Sequence, residues 1–258
     1  MITRSYNLRN RKNIKQPCKV VEDSITTNPE CDKKTDTNAS ETVSEVLPEA
    51  IVENQIPPAT IDNGYEFNNY IYVSPHSLDK DLCNEIIKLF ETSTNQHPGV
   101  ISSGLNEKFK KTRDLHMNIE QDNFRTIDNI LVQKLNRHIY NYMKATNEHY
   151  RVLTFGEVED SGFNIQKYTK NVGYYHWHND EHIKVQERKH RLLTYIWYLN
   201  DVHVGGETEF AGNYKIKPEA GKFVFFPASW TCPHRGIMPI DNDKYIITGW
   251  IYNSYDFR

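Results

Sequence analysis

From about residue 151 the apolar residues recur at every second position in short runs, at 162–169, 174–178, 191–199, 206–210, 214–217, 222–226, 233–238 and 244–252. Side chains two apart on an extended chain leave from the same face, so each run offers one face to a core. Gly205-Gly206, Gly212-Asn213 and the stretch 218–221 supply turns between the runs. Strands this short and close leave no room for the helical crossovers of a parallel sheet. They fit a β-sandwich or barrel.

Upstream the period is helical. Residues 74–91 read as a helix, with Leu82, Ile86 and Phe90 at helical spacing, Ser77 as N-cap and acids in the first turn. Residues 96–118 read as loops and a short strand. A longer helix over 121–148 places Phe124, Ile127, Ile130, Leu131, Leu135, Ile139 and Met143 on one face, as a brace for a sheet. The fold class is therefore α+β, mainly β: helices at about 74–150, then a β-roll at about 151–258.

The first 60 residues differ in kind. Of the 31 aromatic residues only Tyr6 precedes residue 65, and no glycine precedes Gly64. Such a segment has too little to bury to repay the entropy of ordering, so a disordered tail over 1–60 is expected, followed by one domain over 61–258. No run of 18 apolar residues occurs, which argues against a helical membrane span. The net charge of −3 argues against a global nucleic-acid surface. Residues 1–20 carry six Lys or Arg and no acid, so Arg9-Asn10-Arg11-Lys12 reads either as a solvated basic arm or as a nuclear or nucleic-acid address. The region after Met1 lacks the apolar core of a secretory signal. The four cysteines, irregularly spaced, form neither a disulfide framework nor a zinc ribbon. An intracellular protein is expected, cytoplasmic rather than nuclear and not secreted.

Chemistry concentrates in the β region. His178-Asn179-Asp180 places an imidazole and a carboxylate two residues apart, which strand alternation turns to one face. Two histidines and one carboxylate suit non-haem Fe(II) with open positions, and His234 is the best third ligand. His176 is an alternative ligand, without a second carboxylate beside it. Lys244 shares a face with Ile246, Thr248 and Trp250, and a lysine turned into a barrel requires an anion. The carboxylate of a bound co-substrate would supply one; a surface lysine at a strand start is the other reading.

Residues 160–252 resemble the catalytic domain of Fe(II)/2-oxoglutarate dioxygenases of the prolyl 4-hydroxylase type. The matching pieces are Tyr168 ten residues before His178, the pair His178 and Asp180, Tyr198-Leu199-Asn200, Gly205-Gly206-Glu207-Thr208-Glu209, the run from Gly221 to Pro227, His234, and Lys244 with Trp250. The resemblance implies a double-stranded β-helix (jelly-roll) core holding Fe(II) through His178, Asp180 and His234. It implies that Lys244 takes the C5 carboxylate of 2-oxoglutarate, with Tyr168 and Tyr198 helping and Thr194 and Thr248 nearby. The implied reaction consumes O₂ and 2-oxoglutarate, releases succinate and CO₂ and hydroxylates a substrate, with ascorbate as a reductant. A peptidyl proline is the substrate expected; another peptidyl side chain, a nucleic acid base or a small molecule are alternatives. An inactive jelly-roll binding protein and a zinc hydrolase on the same ligands are the competing classes.

Other residues carry two readings each. His182 fits a loop or a supporting position, Glu207 and Glu209 fit turn and fold roles, and Trp177 and Trp197 fit core or pocket wall. Arg113 fits the substrate cleft or the surface, and 181–190 fits a lid or a solvent loop. A chain lacking residues 1–60 should fold and melt cooperatively like the full chain; thermal unfolding followed by circular dichroism checks this, and loss of the cooperative transition would show that the tail packs on the core.

Overall fold

The computed structural model describes residues 64–117, 122–150 and 158–254, and the expected tail lies outside them. The described chain opens on a hairpin that sequence patterning does not reveal, β1 (Glu66–Asn68) and β2 (Ile71–Ser74). Its turn residues Asn69 and Tyr70 both take positive φ, at 48° and 64°, as a tight two-residue hairpin demands. Tyrosine is a poor predictor of that conformation, which is why the turn is hidden. Both expected helices form, as α1 (Lys80–Thr92) and α2 (Asp122–Tyr150), but α1 does not start at residue 74 as expected, because Ser74 ends β2 and a turn precedes Lys80. Between them lie β3 (His97–Pro98), β4 (Lys110–Lys111) and β5 (Arg113–His116).

The strands that follow are β6 (Val158–Asp160), β7 (Asn164–Tyr168), β8 (Tyr174–His178), β9 (Ile183–Lys184) and β10 (Lys189–Tyr198). After them come β11 (Thr208–Phe210), β12 (Tyr214–Ile216), β13 (Phe223–Pro227), β14 (His234–Gly236) and β15 (Lys244–Ser254). They form two sheets of a jelly-roll. The larger runs β1-β2-β13-β10-β15-β7-β5-β3, with β6 added on β15 and β9 on β10. The smaller runs β12-β11-β14-β8-β4.

Alternation along the central strands divides the side chains between two cores. Tyr195, Trp197, Phe223, Phe225 and Ile247 pack with Phe90, Leu131 and Leu135 of the helices. Ile196, Tyr198, Val224, Phe226 and Ile246 pack with Phe210 and Ile216 of the smaller sheet. Lys244, Thr194 and Thr248 fall on this second, interior side by register.

The capping of α1 corrects the sequence expectation. Asp79, not Ser77, is the N-cap, and its side chain accepts from the Leu82 amide at 2.8 Å. Ser77 is instead buried, with its Oγ 2.6 Å from His138 Nε2 on α2 and accepting the Trp197 indole N–H at 2.8 Å. The Ser77 and Leu78 amides both donate to the Gly221 carbonyl. Gly221 has φ +83°, and a Cβ there would lie 2.0 Å from the Leu78 carbonyl oxygen, so only glycine allows this approach.

His138 stacks on Phe223 at 3.8 Å between ring centroids. Burial, with help from Lys134 and Arg137, pushes its imidazole down to about 3. The unfolded chain therefore takes up this proton near the ordinary histidine value of about 6.5, and the folded chain only near 3. Stability from this group is present above about 6.5 and is lost progressively as pH falls toward 3. Chemical denaturation across that window should show the decline, and His138→Gln should flatten it while lowering stability at neutral pH.

Candidate metal centre

The smaller sheet brings His178 and His234 together as directly paired residues of β8 and β14. The pairing is not regular. His234 faces His178 and Gly236 faces Tyr175, so Arg235 alone is opposed by both His176 and Trp177. This bulge re-aims the strand. It turns Tyr175, and not His176, to the side of His178: the two rings stack with centroids 3.5 Å apart and planes at 19°. Asp180 lies just beyond the end of β8, so its approach to His178 is a loop conformation and not the strand alternation that the sequence suggests.

The three side chains converge. His178 Nε2 is 3.8 Å from Asp180 Oδ1, and His234 Nε2 is 3.5 Å from Asp180 Oδ2. One donor atom from each lies within 4.8 Å of the others. Each imidazole is fixed by a carbonyl two residues upstream: His178 Nδ1 by the His176 oxygen at 2.7 Å, His234 Nδ1 by that of Cys232 at 3.1 Å. Both histidines thereby keep Nε2 for a ligand, which is how protein metal sites orient imidazole. Burial, and then His234, holds the His178 imidazole well below the usual range, hence neutral. Burial raises the Asp180 carboxyl, yet His234, His178 and the Thr194 hydroxyl together outweigh it and keep it below the usual range, hence ionised. A neutral His178 imidazole and an ionised Asp180 carboxylate are protonation states in which both side chains can ligate a divalent ion.

Asp180 is clamped from three directions. Thr194 Oγ1 donates to its Oδ2 at 2.8 Å, Arg191 Nη1 donates to its carbonyl at 3.3 Å, and its amide donates to Ala228 at 3.1 Å. The Arg191 guanidinium rests 3.6 Å from the Trp250 ring centroid. Trp250 is paired with Thr194, and among the described residues its buried indole N–H has no hydrogen-bond partner.

Lys244 begins β15 opposite Tyr168 and is 1% exposed. Its Nζ donates to the Gly206 carbonyl at 2.9 Å and sits 4.0 Å over the Tyr168 ring. Among the described residues no carboxylate pairs with it. Burial pulls its ammonium down to about 7, with Glu207 opposing weakly. Tyr168 also bonds Gln166 at 3.4 Å, and Tyr198 donates to Thr208 at 2.6 Å. Thr248 donates to the Tyr195 carbonyl at 3.0 Å. The structure thus sets Thr194 on Asp180 and not free beside Lys244.

The remaining sequence candidates separate. His176 is exposed, with its ring against Phe109 and Tyr174, outside the donor cluster. His182 is exposed, Arg113 is exposed and reaches the Gln96 carbonyl, and buried Glu209 pairs with Arg235 at 2.6 Å. Trp197 belongs to the helix-side core, and Trp177 lies under the Arg235 guanidinium, 42% exposed. Residues 183–190 form a hairpin of β9 with the start of β10. Sequence reasoning missed Tyr175, Arg191, Lys110 and Asp114; the bulge hides the first, and only through-space pairing marks the others.

Residues 163–252 match the 2OG-Fe(II) oxygenase superfamily. No curated protein matches the sequence. Among solved structures the fold is similar to the viral collagen prolyl hydroxylase of Paramecium Bursaria Chlorella virus-1, at 20% identity over 72% of this chain and 97% of that one, with a TM-score of 0.52. A Pseudomonas putida prolyl-4-hydroxylase gives 18%, 70%, 91% and 0.50 on the same measures. A Trichoplax adhaerens prolyl hydroxylase in complex with a hypoxia inducible factor oxygen degradation domain peptide fragment gives 15%, 72%, 84% and 0.55. Identities this low speak for the shared fold.

A lysine buried without an anion burdens the ligand-free protein. Lys244→Met should therefore raise its melting temperature at pH 7, by about 2–4 °C for each kcal/mol recovered in a domain of this size. Calorimetry of the ligand-free protein checks this, and an unchanged or lower value would mean that the lysine is solvated.

Proposed function

We propose that this chain is a 2OG-Fe(II) oxygenase, a reading the match over residues 163–252 supports, and that it hydroxylates a peptidyl proline in the manner of prolyl 4-hydroxylases. The carrying observation is one interior that holds the His178–Asp180–His234 donor set and, on the same side of the larger sheet, a buried ammonium that has no carboxylate partner among the described residues. The donor set fits Fe(II), since two imidazoles and a carboxylate leave coordination positions open. The Lys244 ammonium and the orphaned Trp250 N–H fit an anionic, hydrogen-bonding co-substrate. When bound, the iron and 2-oxoglutarate supply the oxidative chemistry, with O₂ as oxidant and ascorbate as an external reductant.

The protein's own part is placement. His178 and His234 offer Nε2 from rings fixed by the backbone, and Thr194 orients the Asp180 carboxylate toward them. Lys244 presents its Nζ to the distal carboxylate of the co-substrate, which would favour the charged ammonium, while Tyr168 underlies it. Tyr198 and Thr248, both buried, wall the same interior and keep water out of it. Peptidyl proline as substrate draws support from the three structural neighbours described above, which are prolyl hydroxylases by name, one of them in complex with a peptide fragment.

The test is succinate release by protein loaded anaerobically with Fe(II), then given O₂, 2-oxoglutarate and proline-bearing peptides, with hydroxyproline read by mass spectrometry. Asp180→Ala should abolish turnover and cut iron content. Lys244→Ala should keep the iron but weaken 2-oxoglutarate binding at least a hundredfold, because breaking a buried charge pair costs about 3–5 kcal/mol and each 1.4 kcal/mol is about tenfold. Binding within threefold of wild type would overturn the assignment of Lys244. Succinate without hydroxyproline would leave an oxygenase with a different substrate.

A further inference from the structure

One buried charged cluster lies outside this assignment. Lys110 and Asp114, 4% and 3% exposed, pair at 2.9 Å between Nζ and Oδ2. Asp114 also accepts from Thr112 Oγ1 at 2.7 Å, Gln166 Nε2 at 3.1 Å and Asn164 Nδ2 at 3.2 Å. A carboxylate held by four donors from three strand or loop positions is immobile. Gly99 closes the cluster from outside, since a Cβ there would lie 2.0 Å from Thr112 Oγ1 and 3.0 Å from Asp114 Oδ1.

The pair reaches the candidate site by two routes. Gln166, bound to Asp114, accepts from the Tyr168 hydroxyl at 3.4 Å, and Tyr168 carries the Lys244 ammonium on its ring. Lys110 pairs in register with Tyr175, and its Nζ lies 5.3 Å from that ring, which stacks on His178. One ion pair thus supports the rings behind both Lys244 and His178. A buried pair adds little net stability over an apolar pair of similar volume, so stability alone gives it small effect.

We propose that Lys110 and Asp114 form a positioning pair that fixes Tyr168 under Lys244 and Tyr175 against His178, and so sets the affinity of the site for 2-oxoglutarate. The proposal rests on the reading of Lys244 as the carboxylate-binding residue. Neither residue touches the co-substrate; both act through the rings they hold.

The test uses the full chain saturated with Fe(II) under anaerobic conditions and titrated with 2-oxoglutarate at the metal-to-ligand absorption band. The double variant Lys110→Met with Asp114→Asn removes both charges at near-constant volume. It should melt within a few degrees of wild type and bind 2-oxoglutarate at least tenfold more weakly. A folded double variant that binds within threefold of wild type overturns the proposal, as does a lowered melting temperature with unchanged affinity. Should the double variant not fold, Gly99→Ala, which crowds Thr112 and Asp114 without removing a charge, is held to the same criterion. A wild type that gives no 2-oxoglutarate-dependent band fails the reading of the site itself, whereas a binding wild type with an equally binding variant fails the pair alone.

Discussion

Strands β10, β13 and β15 are buried on both faces, and the register among them is the constraint on which everything else depends. Their helix-side residues are large and aromatic: Tyr195, Trp197, Phe223 and Phe225 are all fully buried. A slip of one residue in any of these strands would exchange its faces. It would drive Thr194 or Lys244 into the helix-side core and leave aromatic rings in the space between the sheets. Both errors are expensive, since an unpaired ammonium and an unpaired hydroxyl would then be buried among hydrocarbon. The helices therefore do chemical service at a distance. By filling one face, α1 and α2 fix which residues the other face presents.

The interior face pays for function in stability. Lys244 and Asp180 are charged groups in a nearly dry compartment, and burial is the leading influence on each. Asp180 recovers its ionised state from the two imidazoles and Thr194. Lys244 has only the Gly206 carbonyl and the face of Tyr168. The two groups thus stand in opposite conditions, one paired within the chain and one, among the described residues, without a carboxylate partner. Such an arrangement costs no reorganisation when a ligand arrives, which is the advantage of a preformed site.

Much of this was legible in the residues. The period-two runs mark β7, β8, β10, β13 and β15, whereas chemistry and spacing leave His176 and a surface Lys244 open, and the family resemblance singles out His178, Asp180, His234 and Lys244. The misreadings share a cause, namely contacts between residues far apart in sequence. Ser77 has the chemistry of an N-cap, but His138 and Trp197, 61 and 120 residues away, take its hydroxyl. Alternation counted from His178 puts His176 beside it, and the β8 bulge puts Tyr175 there instead. Lys110 and Asp114 look like solvent-facing charges in a polar stretch, and only the fold reveals them as buried. Hydrophobic pattern specifies faces; it carries no signal for a bulge or for a polar network assembled across strands.

The donor set also divides between the two sheets in how it is held. Each histidine needs only its own stretch of chain, because the carbonyl that fixes its Nδ1 lies two residues upstream, within β8 for His178 and just before β14 for His234. The mutual placement of the two rings follows from one pairing inside the smaller sheet. Asp180 has no ladder of its own. Thr194 and Arg191 of β10 and the Ala228 carbonyl just past β13 position it, so its coordinates belong to the larger sheet. A shift of one sheet against the other would then move the carboxylate relative to the histidines while leaving the histidines in place. The packing between the sheets, through Phe210, Phe226 and Ile196, is accordingly part of the geometry of the donor set even though none of these side chains belongs to it.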